Sequence, residues 1–266
     1  MSPMISLVLL ALAIYFAFKI NIFFGIAFLV AAIFYFYHKN RGTVLANKAE
    51  NSYKAGDTET AILFFREAAA LSKKNTAMNA GYAHMLLRCG KPEEALSQIN
   101  KFLSDLSLNP ELRKQARQIR ALINYKLKNF DEAYEEGLEL YEMGNTTSSM
   151  RGLLGLLILG AEKDSEKILK FCEDAYEYDS DNRDIVDNYL LALINAKDYT
   201  KAQEISEKLL ALAPDFPESY YHRAILYKHM GNTKRSVELI AKLETLTLKY
   251  MTTFTEEDVK TLKASL

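Results

Sequence analysis

The sequence predicts an all-α protein: an α-α solenoid of about six helix hairpins in file, preceded by an N-terminal transmembrane helical hairpin. Three observations carry that expectation. Residues 4–37 form an apolar run in which Lys19 is the only charge. Most of the remaining chain is similar to itself with a period near 34 residues. At the position expected to start each second helix of that period, Asp or Asn recurs.

The apolar run comes first along the chain. As one helix it would extend about 51 Å at about 1.5 Å per residue, far beyond a hydrocarbon core of about 30 Å. A single pass centred on the run would also hold Lys19 near mid-bilayer, at a cost of about 3 kcal/mol. Breaking the run at Lys19-Ile20-Asn21 removes both difficulties and gives helices over about 4–19 and 22–37. Each would span about 24 Å, enough for a pass where the bilayer thins or flanking residues enter the interface. A tight hairpin with its turn at the far surface is expected, and a shallow re-entrant hairpin is the alternative. No basic segment precedes the run and no small-residue cleavage site divides it, so a signal peptide is not expected. His38, Lys39, Arg41 and Lys48 follow at once, and the positive-inside bias then places everything after the anchor, residues 1–41, in the cytosol. Tyr35 and Tyr37 stand where an interfacial aromatic belt would lie.

The periodic part follows. Similar rows begin at Gly56, Gly90, Lys128, Lys197 and Gly231, and a small residue recurs within them at Ala61, Ala95, Ala133, Ala202 and Ser236. A period of this length signals stacked helix-turn-helix units. The residues before the second helices are Asp57, Lys91, Asn129, Asp164, Asp198 and Asn232. Five of the six can accept a bond from the unpaired amides of a helix start, and Lys91 is followed by Pro92, which has no amide to leave unpaired. Asp164 keeps the register where other signals fade, which makes 149–182 a divergent fourth unit. The expected repeats are about 42–75, 76–109, 110–147, 149–182, 183–216 and 217–246. Four extra residues precede the third, and Asn109-Pro110 predicts that they lengthen its first helix by one turn. Ala49, Ala83, Ala121 and Ala224 on first helices are expected opposite Ala61, Ala95, Ala133 and Ser236, because antiparallel helices approach closely only without bulk at the crossing. Phe65, Ile99, Phe102, Leu209 and Ile240 would fill the space to the next unit. Residues 247–266 hold a capped short helix, Thr255 onward, expected to cover the apolar face of the last unit.

This spacing of alanine, tyrosine, glycine, alanine and proline resembles the tetratricopeptide repeat, most closely over 183–231 through Ala202, Pro214, Ala224, Tyr227 and Gly231. The resemblance covers about 42–246. The chain departs from the family pattern in having no tryptophan and in placing Gly137 and Ser206 where a bulky residue is usual. Resemblance to this family implies a non-catalytic scaffold whose first helices line a concave groove for an extended peptide or an amphipathic helix. Transferred by register, the groove would be lined by Glu50, Tyr53 and Lys54, then His84 and Arg88, then Gln118, Leu122, Tyr125 and Lys126. Met150, Leu153, Leu154 and Leu157 would follow, then Asp187, Leu191 and Asn195, and finally Tyr221, His222, Ile225 and His229. The lysine and asparagine with which chaperone-binding members clamp a carboxylate are replaced by Ala46 and Glu50, so a chaperone tail is not expected as partner. Two membrane helices followed by such repeats look like the architecture of several bacterial inner-membrane assembly factors. The expected localisation is therefore the bacterial inner membrane, with partners on the cytosolic side. The alternative is a structural or regulatory subunit that docks on a membrane complex through its transmembrane hairpin.

Composition removes other classes. The chain holds 33 Lys+Arg against 34 Asp+Glu. A domain that lives on phosphate contacts needs a basic excess, so nucleic acid is not an expected partner. Cys89 and Cys172 are too few for a disulfide framework or a zinc site and read as small buried hydrophobes. His222 and His229 share a helix face but stand about 10 Å apart along its axis, too far for one metal. No cofactor is expected. The acidic pairs Asp131-Glu132 and Glu135-Glu136 read as solvated helix faces. Residues 150–161 are apolar nearly all round, which allows two readings: a helix covered by its neighbours, or a groove floor that takes a partner's amphipathic helix.

Overall fold

The computed structural model describes residues 3–72, 76–213 and 215–266, with side chains from residue 8 onward. Pro214, the proline of the fifth repeat pattern, lies outside the described residues. Every regular element among the described residues is a helix, and there are fifteen of them. The chain divides into two compact units, Met1–Lys74 and Asn75–Leu266.

The first unit holds α1 (Pro3–Ile20), α2 (Ile22–Lys39), α3 (Arg41–Lys54) and α4 (Thr58–Leu71). A single residue, Asn21, separates α1 from α2; its side chain accepts the Phe23 amide at 2.8 Å and so starts the second helix. α1 and α2 pack against each other. The least exposed positions form one stripe on each helix: Leu10, Ile14 and Ala17 on α1, Gly25 and Ala32 on α2. Gly25 lies under the Phe18 ring, so close that a Cβ there would fall 2.4 Å from it. Outside that stripe the apolar side chains point outward, with Ile20 75% and Phe23 78% exposed. α2 is the one described helix long and apolar enough to cross a membrane; the described side chains of α1 give a shorter apolar stretch, Val8–Ile20. The first helix pair of the repeat series, α3 and α4, belongs to this same unit and closes around Leu45, Ala49, Tyr53, Ala61 and Ala68.

The second unit runs from α5 (Ala77–Arg88) and α6 (Pro92–Leu103) to α7 (Pro110–Lys126) and α8 (Phe130–Glu142). It continues with α9 (Ser148–Ala161), α10 (Ser165–Tyr178), α11 (Arg183–Asn195), α12 (Tyr199–Leu212), α13 (Pro217–His229), α14 (Thr233–Leu243) and α15 (Glu256–Ala264). Each helix packs on the next, and each odd-numbered helix from α5 to α11 also touches the following odd-numbered one. No comparable contacts join the even-numbered helices among the described residues. The odd-numbered helices therefore form a continuous inner row, as a superhelical stack of helix pairs requires.

The turns within pairs explain the Asp and Asn pattern. After α3, α5, α7, α11 and α13 one residue adopts a left-handed conformation: Gly56, Gly90, Lys128, Lys197 and Gly231, with φ between 62° and 85°. The next residue's amide then bonds back to the helix it leaves, as in Asp57 to Ser52 O at 2.9 Å and Asn232 to Tyr227 O at 2.8 Å. The same residue caps the helix it enters: Asp57, Asp198 and Asn232 accept the amides of Thr60, Lys201 and Arg235. One residue ends one helix and begins another, so the pair closes through a three-residue turn. The fourth pair differs. Glu162, Lys163 and Asp164 form an open link with no left-handed residue, and the Glu162 carboxylate accepts the amides of Lys163 and Asp164 instead.

The small residues lie where helices cross. Ala49, Ala61, Ala83, Ala95, Ala121, Ala133, Ala202, Ala224 and Ser236 have no accessible surface, and the Ser236 hydroxyl donates to Ala224 O at 2.8 Å. α7 is 17 residues long against 12 for α5, and Asn109 caps it through the Glu111 amide. Gly137 replaces a bulky residue because Leu157 fills the space: a Cβ there would stand 2.6 Å from the Leu157 side chain. One expectation needs correction. Glu136 is not on a solvated face; it is 8% exposed and held between Arg117 and Arg120, with closest contacts of 2.9 and 2.6 Å. The fixed forks of two arginines reach a carboxylate that spacing alone would leave in water.

Candidate binding groove

The inner row encloses a cavity of about 770 Å³. Its apolar side is built by Ile119 and Leu122 of α7 and by Leu153 and Leu156 of α9. Its polar side comes from Asp184, Asp187 and Asn188 of α11 and from Glu218 at the start of α13. Residues Lys249–Thr253, which follow α14, close part of the opening, with Lys249, Met251, Thr252 and Thr253 in the wall.

The polar side is tightly organised. Asp187 meets His222 of α13 at 2.6 Å, and both side chains are buried. Burial works against a charge on His222, but the Asp187 carboxylate beside it, with Glu218 adding to it, holds the imidazole pKa above its ordinary value. Burial pushes the Glu218 carboxyl up, only partly countered by the bond it accepts from the Thr253 amide at 3.0 Å. Lys126 is lowered by burial, with Glu218 acting the other way, and it donates to Thr252 O at 3.0 Å. Asn188 donates to Gly152 O at 2.8 Å, so α11 lies against α9 where Gly152 and Gly155 leave room for it.

The predicted groove residues separate by position. His84, Leu122, Leu153 and Asp187 line the cavity, with Gln118 beside them. Tyr221 stacks on Phe254 with ring centroids 3.9 Å apart, and His222 is the buried partner of Asp187. Tyr125 packs on Phe130, Ile225 is half-buried among core residues, and His229 stacks on Tyr199 at 5.8 Å. Arg88, Leu191 and Asn195 lie on the same inner helices outside the cavity wall. Tyr53 and Lys54 belong to α3 of the first unit. Met150, Leu154 and Leu157 are buried between helices rather than presented to the groove. α9 thus divides: Met150, Leu154, Leu157 and Ile158 enter the core, two glycines face α11, and Leu153 and Leu156 face the cavity.

Sequence reasoning missed Leu156, Asp184, Glu218 and the crossing segment 249–253. Asp184 precedes Asp187 by three residues and shares its helix face, a detectable signal. Nothing local marks 249–253, because its partners lie up to 126 residues away. Among the described residues no group of three His, Cys, Asp or Glu is placed to hold a metal ion. Cys172 is buried in the α9–α12 core, which pushes its thiol pKa up to about 12.

No protein-family model and no curated protein matches the sequence. Solved structures do match. A tetratricopeptide repeat protein from Parabacteroides merdae superposes with a TM-score of 0.66 at 17% identity, over 96% of each chain. A thermophilic protein of the same type from Thermus thermophilus gives 0.57 at 20% identity, over 70% of this chain and 96% of that one. The Pseudomonas aeruginosa pilF protein gives 0.56 at 17% identity, over 78% and 92%. The class is thereby defined at the level of fold: this chain has the helical repeat fold of tetratricopeptide repeat proteins.

Proposed function

We propose that the protein is a membrane-anchored, non-catalytic scaffold that holds partner proteins in the groove of its inner helix row at the cytosolic membrane face, as an assembly factor does. The observation that supports this most is the cavity itself. It is large enough for several side chains, has a leucine floor and a carboxylate wall, and is built from the helices that line the binding face in this fold. The anchor part of the proposal rests on the apolar length of α2 and on the outward phenylalanines of the first unit, which lipid would cover at no cost and water would not.

The same outward surface favours a second reading, a subunit that docks on a membrane complex through α1 and α2. Crosslinking in native membranes separates the two. Wild-type protein is compared with Leu153→Glu, which charges the cavity floor, and with a Phe23→Ala, Phe34→Ala variant, which thins the outward surface. Partners lost only from Leu153→Glu support the scaffold. Partners lost only from the phenylalanine variant overturn it in favour of the docked subunit.

A further inference from the structure

The link from α14 to α15 is longer than its task requires. α15 covers the apolar face of the last pair through Val259 and Leu262, which pack with Leu239, Ile240 and Leu243. Yet the chain spends the twelve residues Glu244–Thr255 between the two helices, where about 2–8 is common and longer links are usually functional. The extra length crosses the inner row. Tyr250 lies against Gly90 in the α5–α6 turn, where a Cβ would come within 3.3 Å of its ring, and Lys126 sits 5.0 Å from the ring centre. The Thr252 carbonyl accepts from Lys126, and the Thr253 amide donates to buried Glu218, each at 3.0 Å. Phe254 is buried, stacked on Tyr221 and edge-on to His222.

The segment is folded into a turn, with the Thr252 amide donating to Lys249 O at 2.9 Å, and it meets the inner row through one main-chain acceptor, one main-chain donor, the Tyr250 ring at its outer end and the buried Phe254 ring at the other. Phe254 shares the core of the last pair with Val259 and Leu262, whereas the rest of the segment lies at the surface, with Tyr250 38% exposed and Thr253 facing solvent. Resting on the groove reading above, we infer that Tyr250–Phe254 is an internal ligand of the groove. Its occupant in a complex is then a partner segment that forms the same turn, with two aromatic side chains four positions apart, and displaces this strap. A strap tethered by a few residues competes at an effective concentration on the order of millimolar, so the closed protein takes up a free segment poorly.

The test uses full-length protein in detergent and a fluorescent synthetic peptide of residues 247–256. Wild type, Tyr250→Ala and Tyr250→Ala/Phe254→Ala are titrated with the peptide, and trypsin cleavage after Lys249 reports strap release. Both variants are expected to be cut at least several-fold faster and to bind the peptide at least ten-fold more tightly than wild type. Tyr250 is a surface residue, so its single variant carries the result if the double variant does not fold. Faster cleavage without tighter peptide binding overturns the inference, and so does unchanged cleavage in a folded Tyr250→Ala. Either outcome leaves the Leu153→Glu crosslinking result standing, because that result reads the cavity floor and not the strap.

Discussion

Lys128 and Lys197 occupy left-handed turn positions that glycine fills at Gly56, Gly90 and Gly231. A side chain there costs about 1–2 kcal/mol, which glycine avoids at some expense in unfolded-chain entropy. Lys197→Gly is therefore expected to stabilise by about 0.5–1 kcal/mol and Gly231→Ala to destabilise by about 1 kcal/mol, read from thermal or denaturant unfolding. A second residue-scale effect comes from His222. Its folded pKa is raised above 6.5, so the proton it binds on folding stabilises the native state. That contribution is complete below the unfolded value and disappears as pH rises through the folded value. The melting temperatures of wild type and His222→Gln are expected to differ most below the ordinary imidazole value of 6.5 and to converge as the pH rises through the raised folded value. A gap that widens with pH would contradict the Asp187–His222 assignment. The caps at Asp57, Asp164, Asp198 and Asn232 were legible from sequence because a cap is a local contact. The Asp187–His222 pair was not, because its members lie 35 residues apart.

At the scale of the element, α9 shows where periodicity stops being informative. Its sequence is apolar all round, so no stripe distinguishes a core face from a groove face. Packing makes the distinction. Leu157 is fully buried against Ala121 and Ala133, whereas Leu153 lines the cavity. Leu157→Glu is expected to cost on the order of 4 kcal/mol or more, by burying an unpaired charge. Leu153→Glu should change stability by less than about 1 kcal/mol, since its side chain can reach the cavity water. Paired unfolding curves check this, and equal losses would mean that both leucines serve the core. Reading 150–161 as a covered helix thus accounts for most of its residues, and Leu153 and Leu156 alone leave a place for the groove-floor reading.

For the whole molecule, the anchor proposal sets an expectation about sidedness. If α1 and α2 both cross the bilayer, a cysteine at Asn21 and one at Lys39 are labelled by a membrane-impermeant thiol reagent from opposite sides. Labelling of both from the cytosolic side would establish the re-entrant hairpin instead. The amino-acid sequence by itself determined what depends on neighbours along the chain: all-helical structure, the break at Asn21, the caps at Asp57, Asp164, Asp198 and Asn232 though not at Asn129, the longer third first helix and the small residues at crossings. Each follows from hydrogen bonds or steric limits acting within about one period. Tertiary structure alone decided which α9 leucines are core, that Glu136 is buried between two arginines, that Asp187 meets His222, and that residues 250–254 lie across the inner row. Those outcomes depend on how the pairs of the second unit rotate relative to one another. That rotation is set by the summed packing of many side chains, and no single repeat encodes it.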